Sequence, residues 1–109
     1  MSEYMVARNE IGVHNRRLIP GDVDTITFLG VYLPEIEILT DGIDDIYVTF
    51  GVDPVPTVEG QHCWRVPAFP GSSLLPSRVW ARGGSLIYPT TVVKLVSGGA
   101  PGYSVSRSR

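Results

Sequence analysis

The sequence predicts an all-β fold: an antiparallel β-sandwich of about eight short strands, preceded by an extended N-terminal arm. Three observations predict it. Runs that alternate apolar and polar residues recur at the roughly 8–12-residue spacing of sandwich strands, and none shows a helical period. The β-branched and aromatic residues that suit a pleated surface are concentrated in those runs. The intervals are punctuated by 12 Gly and 9 Pro, many at turn positions. With 109 residues, 43% of them hydrophobic and 18% charged, the chain fits one domain with one modest core.

Residues 1–17, MSEYMVARNEIGVHNRR, sustain no period of 2 or 3.6 and read as the arm. It is either a frayed terminus or a segment ordered against a partner. In the second case Tyr4, Met5, Val6, Ile11 and Val13 are the apolar anchors, and Arg8, Arg16 and Arg17 meet carboxylates. Pro20-Gly21 marks entry to the sandwich domain, expected over residues 18–105, and residues 106–109 are a basic tail. Within the domain, Thr25–Val31 alternates with Ile26 and Phe28 inward, and Gly30 marks a bulge or close approach. After Pro34, Glu35–Thr40 places Ile36 and Ile38 inward and both glutamates outward. Asp41-Gly42 is a turn signal that pairs this strand antiparallel with Ile46–Phe50.

Ile46–Phe50 and His62–Val66 flank a loop whose Pro54 and Pro56 lack an N–H and exclude both helix and central strand. Of the two tryptophans, Trp64 is the one expected in the core, since Trp80 stands between Arg78 and Arg82. Cys63, beside Trp64, is expected to be a reduced, mostly buried thiol. Phe69–Pro76 reads as a loop in which Leu74 and Leu75 plug one edge of the core. Arg78–Arg82 and Ser85–Tyr88 are short extended pieces around the Gly83-Gly84 turn. Thr90–Val96 is the most β-prone run, and the turn Gly98–Gly102 folds Tyr103–Val105 back beside it.

A single cysteine permits no internal disulfide, so core packing or association with other subunits must hold the domain. No run approaches the roughly 20 apolar residues needed to span a bilayer, and MSEYMVARNE has no signal-peptide core. These features predict synthesis in a cytoplasm-like compartment and no membrane partner. Residues 18–64 hold nine acids and no Lys or Arg, whereas residues 65–109 hold six bases and no acid, for a net charge of −2. Either early and late strands interleave and neutralise one another, or the surface has an acidic and a basic face suited to neighbouring subunits. An acidic domain with scattered bases lacks the electrostatic footprint of a nucleic-acid binder.

Nothing in the sequence is arranged for catalysis, and the expectation is a protein that is not an enzyme and needs no cofactor. Adjacent His62 and Cys63 in a strand point to opposite faces, away from one metal or one substrate. Zinc needs further ligands at suitable spacing. Asp41, Asp44 and Asp45 do not match the twelve-residue calcium loop, and the sequence has no Gly-x-Ser-x-Gly elbow. Trp64, Trp80 and five tyrosines suit a sugar platform or an interface as well as a core.

The phrases Ile46–Thr49, Asp53–Gly60, Val66–Ala68, Val93–Gly99 and Pro101–Val105, in that order, resemble small β-sandwich virion proteins of tailed bacteriophages. The likeness covers roughly residues 22–105 and leaves the arm without a counterpart. It implies a capsid decoration protein on the outside of an assembled head. The implied partners are the major capsid protein and copies of the chain itself, often a homotrimer. A tail or connector component and a carbohydrate-binding module are the alternatives. The residues expected to touch a partner are Tyr4, Arg8, Ile11, Arg16 and Arg17 in the arm, and Arg78, Trp80 and Arg82 in the domain.

Overall fold

The computed structural model describes residues 2–7, 9–29, 35–40, 44–66, 77–81 and 91–107, with 35, 77–81, 91 and 107 as backbone alone. These form an all-β sandwich. The strands are β1 (Ser2–Val6), β2 (Gly12–Arg17), β3 (Asp24–Phe28), β4 (Glu35–Thr40), β5 (Ile46–Phe50), β6 (Trp64–Val66), β7 (Ser77–Ala81), β8 (Thr91–Val96) and β9 (Gly102–Arg107). One sheet has the order β1-β3-β8-β5-β6 and the other β2-β9-β4-β7.

Alternation places the core where the sequence suggests. Ile26 and Phe28 of β3, Ile46 and Val48 of β5, and Val93 and Leu95 of β8 face Ile36 and Ile38 of β4 and Tyr103 and Val105 of β9. Val6, Val13, Leu18, Phe50 and Val66 complete this cluster. Fully burying an aliphatic or aromatic side chain of this size contributes about 1.5–3 kcal/mol, so these positions dominate the stability.

The expected N-terminal arm over residues 1–17 is replaced by two edge strands, one in each sheet. β1 lies parallel to β3, with Ser2 opposite Asp24 and Val6 opposite Phe28. β2 lies antiparallel to β9, with Val13 opposite Val105. Backbone pairing and the buried Val6 and Val13 give this segment the stabilisation that a free arm lacks. The first residue of β2 must be glycine, because a Cβ at Gly12 would collide with the Val105 carbonyl oxygen and would lie 2.6 Å from Ser106 Cα. The basic tail is shorter than expected, since Ser106 and Arg107 belong to β9.

Two expected pairings fail for one reason. β4 and β5, and likewise β8 and β9, lie in different sheets, so neither pair forms a hairpin; Asp41-Gly42 itself lies outside the described residues. β4 pairs instead with β7 and β9, and β5 with β6 and β8. The sandwich is also not wholly antiparallel, because β1 reaches β3 only after the chain has crossed to the other sheet and back. The same alternation interleaves the two charge halves: Lys94 of β8 lies opposite Thr25 of β3 and Thr49 of β5, and Arg65 Nε is 2.7 Å from Asp45 Oδ2.

The loop 51–63 folds over the outer face of the five-stranded sheet. Thr49 Oγ1 donates to the Pro54 carbonyl at 3.1 Å, and Lys94 Nζ donates to the Val52 carbonyl at 2.5 Å. Gly60, at φ +77°, packs so close to the Tyr47 ring that a Cβ would sit 2.6 Å from Cε1. This cover explains why Thr49, on the outward phase of β5, is buried. Val52, Val55 and Val58 remain exposed on the loop's outer side.

Near the end of this loop two expectations are corrected. His62 has φ 60°, so the chain is still turning and β6 starts only at Trp64. Trp64 shares the inward phase of Val66 and lies opposite Val48, yet at the sheet edge it is 59% exposed instead of filling the core. Cys63 is a free thiol, but half-buried in the turn, where Sγ donates to the Gln61 carbonyl at 3.2 Å. Leu74, Leu75 and the extended piece 85–88 lie outside the described residues.

Candidate partner-binding edge

β1 and β2 are the edge strands of the two sheets on the same side of the sandwich. Their polar side chains are brought together by an irregularity in β2. Val13 is opposite Val105 and Arg16 is opposite Tyr103, so three steps along β2 match two along β9. The extra residue is a β-bulge. Asn15 takes φ 58° to accommodate it, a conformation that asparagine tolerates better than most residues. Its N–H donates to Ser104 Oγ at 3.1 Å.

The bulge reverses the strand phase from Arg16 onward. Arg16 falls on the inward side, opposite buried Tyr103, and its guanidinium lies over the Tyr4 ring of β1 at 4.8 Å from the centroid. A cation above an aromatic face is attracted by the ring quadrupole, so this pair ties the edge of one sheet to the edge of the other. Deeper in, Tyr103 Oη donates to Asp24 Oδ2 at 2.8 Å, again from one sheet to the other. Both residues are only 3% exposed. Burial first, and then the hydrogen bond to the Asp24 carboxylate, holds the Tyr103 phenol far above its usual pKa.

Outside this tie lies a concavity of about 310 Å³ lined by Asn15, Arg16, Arg17, Leu39, Thr40, Gly102, Tyr103 and Ser104. Arg17 is held in its wall by Nη1, which donates to the Ala100 carbonyl at 2.6 Å. The ion pair seen among the described residues joins Arg65 to Asp45, away from this wall. A second hollow, lined by Asp44, Asp45, Tyr47, Val58 and Ser97–Gly99, is acidic.

Of the residues expected to touch a partner, Tyr4, Arg16 and Arg17 are brought together here. Ile11 is exposed on the approach to β2, as Met5 is on β1. Arg78 and Trp80 lie on β7, which pairs with β4 and is known by its backbone alone, while Arg8 and Arg82 lie outside the described residues. Asp24, Tyr103 and Asn15 were not singled out by the sequence. A signal existed for the first two: Asp24 has the same strand phase as Ile26 and Phe28, and Tyr103 the same phase as Val105, so both should face inward. Asn15 gave none, because a bulge is defined by a partner strand remote in sequence. The chain matches no protein-family model, no curated protein and no solved structure.

Proposed function

We propose that this chain is a structural virion protein, a capsid decoration protein that attaches to the outer surface of an assembled phage head through its β1–β2 edge and stabilises the shell. The observation that carries this reading is the arginine-lined concavity itself. Arg16 and Arg17 line it, with no carboxylate paired to either among the described residues, and Leu39 lines it with them. An apolar side chain beside charged forks suits a protein–protein contact, where arginine is favoured at the energetic centre. The order of strand and turn phrases, which resembles that of phage sandwich proteins, suggests the partner, the major capsid protein. Copies of the chain would assemble there as a homo-oligomer, a trimer in our reading.

The test is co-sedimentation of purified protein with decoration-free capsids. Arg17→Glu is the informative variant, because Arg16 also ties the two sheets together. Occupancy should fall for the variant, and for the wild type as salt rises; equal occupancy of both proteins at all salt concentrations would overturn the reading. A tail or connector role is distinguished by the location of added density on the particle.

One observation favours a second reading, a carbohydrate-binding module. Trp64 exposes 59% of its surface beside the apolar loop, as a sugar-stacking platform does. Retention on immobilised glycans that is lost in Trp64→Ala would support the module and count against decoration.

A further inference from the structure

We infer that the concavity between β2, β9 and β4 is a carboxylate-binding site that takes one acidic side chain, presented by an extended segment of a partner protein. The inference rests on the β1–β2 edge being an attachment surface and specifies the chemistry it reads. At about 310 Å³ the hollow is at the small end of ligand pockets, with room for one side chain.

Its donors are held in place and only partly used. Tyr4 engages Arg16 with the guanidinium carbon 4.8 Å from its ring centroid, a contact that consumes no N–H in a hydrogen bond, and no carboxylate is paired with Arg16 among the described residues. Arg17 spends one N–H on the Ala100 carbonyl and keeps the others of its five. Ser104 Oγ accepts from the Asn15 amide, so its own proton is free to point into the hollow. The Tyr103 hydroxyl donates to Asp24 and is not available to a ligand. Leu39 offers an apolar wall for the methylenes of a glutamate.

The presenting segment follows from topology. Among the described residues β2 is the edge of its sheet, with one side of its backbone not paired to another strand, and an extended chain added there delivers alternate side chains to one face. A carboxylate held by arginine forks in a restricted hollow is worth more than an exposed surface ion pair.

The experiment is an amide and arginine Nε–H NMR titration of the isolated protein with three probes. These are a short capped peptide with one glutamate among threonines and valines, its glutamine analogue, and inorganic phosphate. The glutamate peptide should shift Asn15, Arg16, Arg17 and Ser104 and leave Arg65 unmoved, and the glutamine peptide should shift none of them. Arg17→Ala should weaken the glutamate peptide by about tenfold to a hundredfold, the cost of a lost hydrogen bond to a charged group. Leu39→Glu should abolish binding with the fold intact, as judged by unchanged resonances of core amides.

The inference is overturned if the glutamate peptide shifts nothing, if both peptides act alike, or if phosphate binds more tightly than the peptide. Its failure is separable from that of the decoration reading. Peptide binding that survives while capsid occupancy ignores Arg17 sinks decoration alone. Arg17-dependent occupancy without any peptide response sinks the carboxylate site alone.

Discussion

At the β1–β2 edge the two sheets are tied together by polar groups, whereas at β6 the five-stranded sheet ends in a tryptophan left 59% exposed. Both edges place a large side chain on the inward phase of an outermost strand. At the first, the β2 bulge supplies Arg16, whose charge stays near water while its guanidinium lies over the Tyr4 ring, and Tyr103 and Asp24 satisfy each other behind it. At the second, the turn through His62 delivers Trp64 onto an edge strand of three residues. Inward phase therefore does not guarantee burial, since Arg16 and Trp64 are both exposed. The edges differ in that Arg16 has a partner from the opposite sheet.

The comparison breaks first if the N-terminal strands are dispensable. Removing residues 1–17 takes away both edge strands together with Val6 and Val13, and it should abolish the cooperative melt followed by circular dichroism. A truncated chain that melts like the parent would restore the free arm. Next in size is Tyr103→Phe, which leaves the buried Asp24 carboxylate without its donor at a cost of about 1–3 kcal/mol. Chemical denaturation of the two proteins at neutral pH measures this directly, and equal midpoints would refute the tie.

Tyr103 also carries a pH signature of definite sign. Its folded pKa lies above the unfolded value of about 10. Its contribution is complete below pH 10 and is lost as pH rises beyond it, because the unfolded phenol ionises while the folded one keeps its proton. Above pH 10 the wild type should therefore lose up to about 1.4 kcal/mol per pH unit more than Tyr103→Phe. Parallel stability curves for the two proteins would contradict this.

Arg16→Ala should cost about 0.5–1 kcal/mol, the value of an exposed cation–π pair. The fully mobile arm expected from sequence predicts no change in melting temperature for the same substitution. Trp64→Ala should have the smallest effect, below Val66→Ala on the same strand, since Val66 is fully buried. A larger loss at Trp64 would mean that the β6 edge is closed after all. Efficient quenching of tryptophan emission by a neutral quencher, reduced in Trp64→Phe, would sharpen the contrast.

Much of this was legible from local pattern. Alternation over Thr25–Val31 and Glu35–Thr40 places Ile26, Phe28, Ile36 and Ile38 inward, as they are found, because the side-chain period is a property of the strand itself, and Ile46–Phe50 and Thr90–Val96 are likewise recognisable as strands. Pairing was not legible, since Asp41-Gly42 and Gly98–Gly102 are the same turn chemistry whether a chain returns beside itself or steps to the opposite sheet. β2 escaped because its bulge breaks the period within a six-residue strand. At the candidate site the sequence supplied Tyr4, Arg16 and Arg17. It could not supply their common setting, which depends on strands far apart in the chain. Trp64 misled because size argues for the core while position in the sheet decides it.

Among the described strands, seven of the eight steps from one to the next pass between sheets, and only β5 to β6 stays within one. Order of synthesis then matters. The N-terminal β2 finds its neighbour only when β9 is made, the link between Asn15 and Ser104 spanning 89 positions. Until then each early strand offers a bare flank to any other chain. Because distant segments must meet before any sheet gains its neighbours, folding should be slow for a domain of this size, in the millisecond-to-second range typical of all-β sandwiches. In a crowded cell, nascent copies would be most prone to mispair during that interval, so lower growth temperature or slower expression should raise the soluble yield.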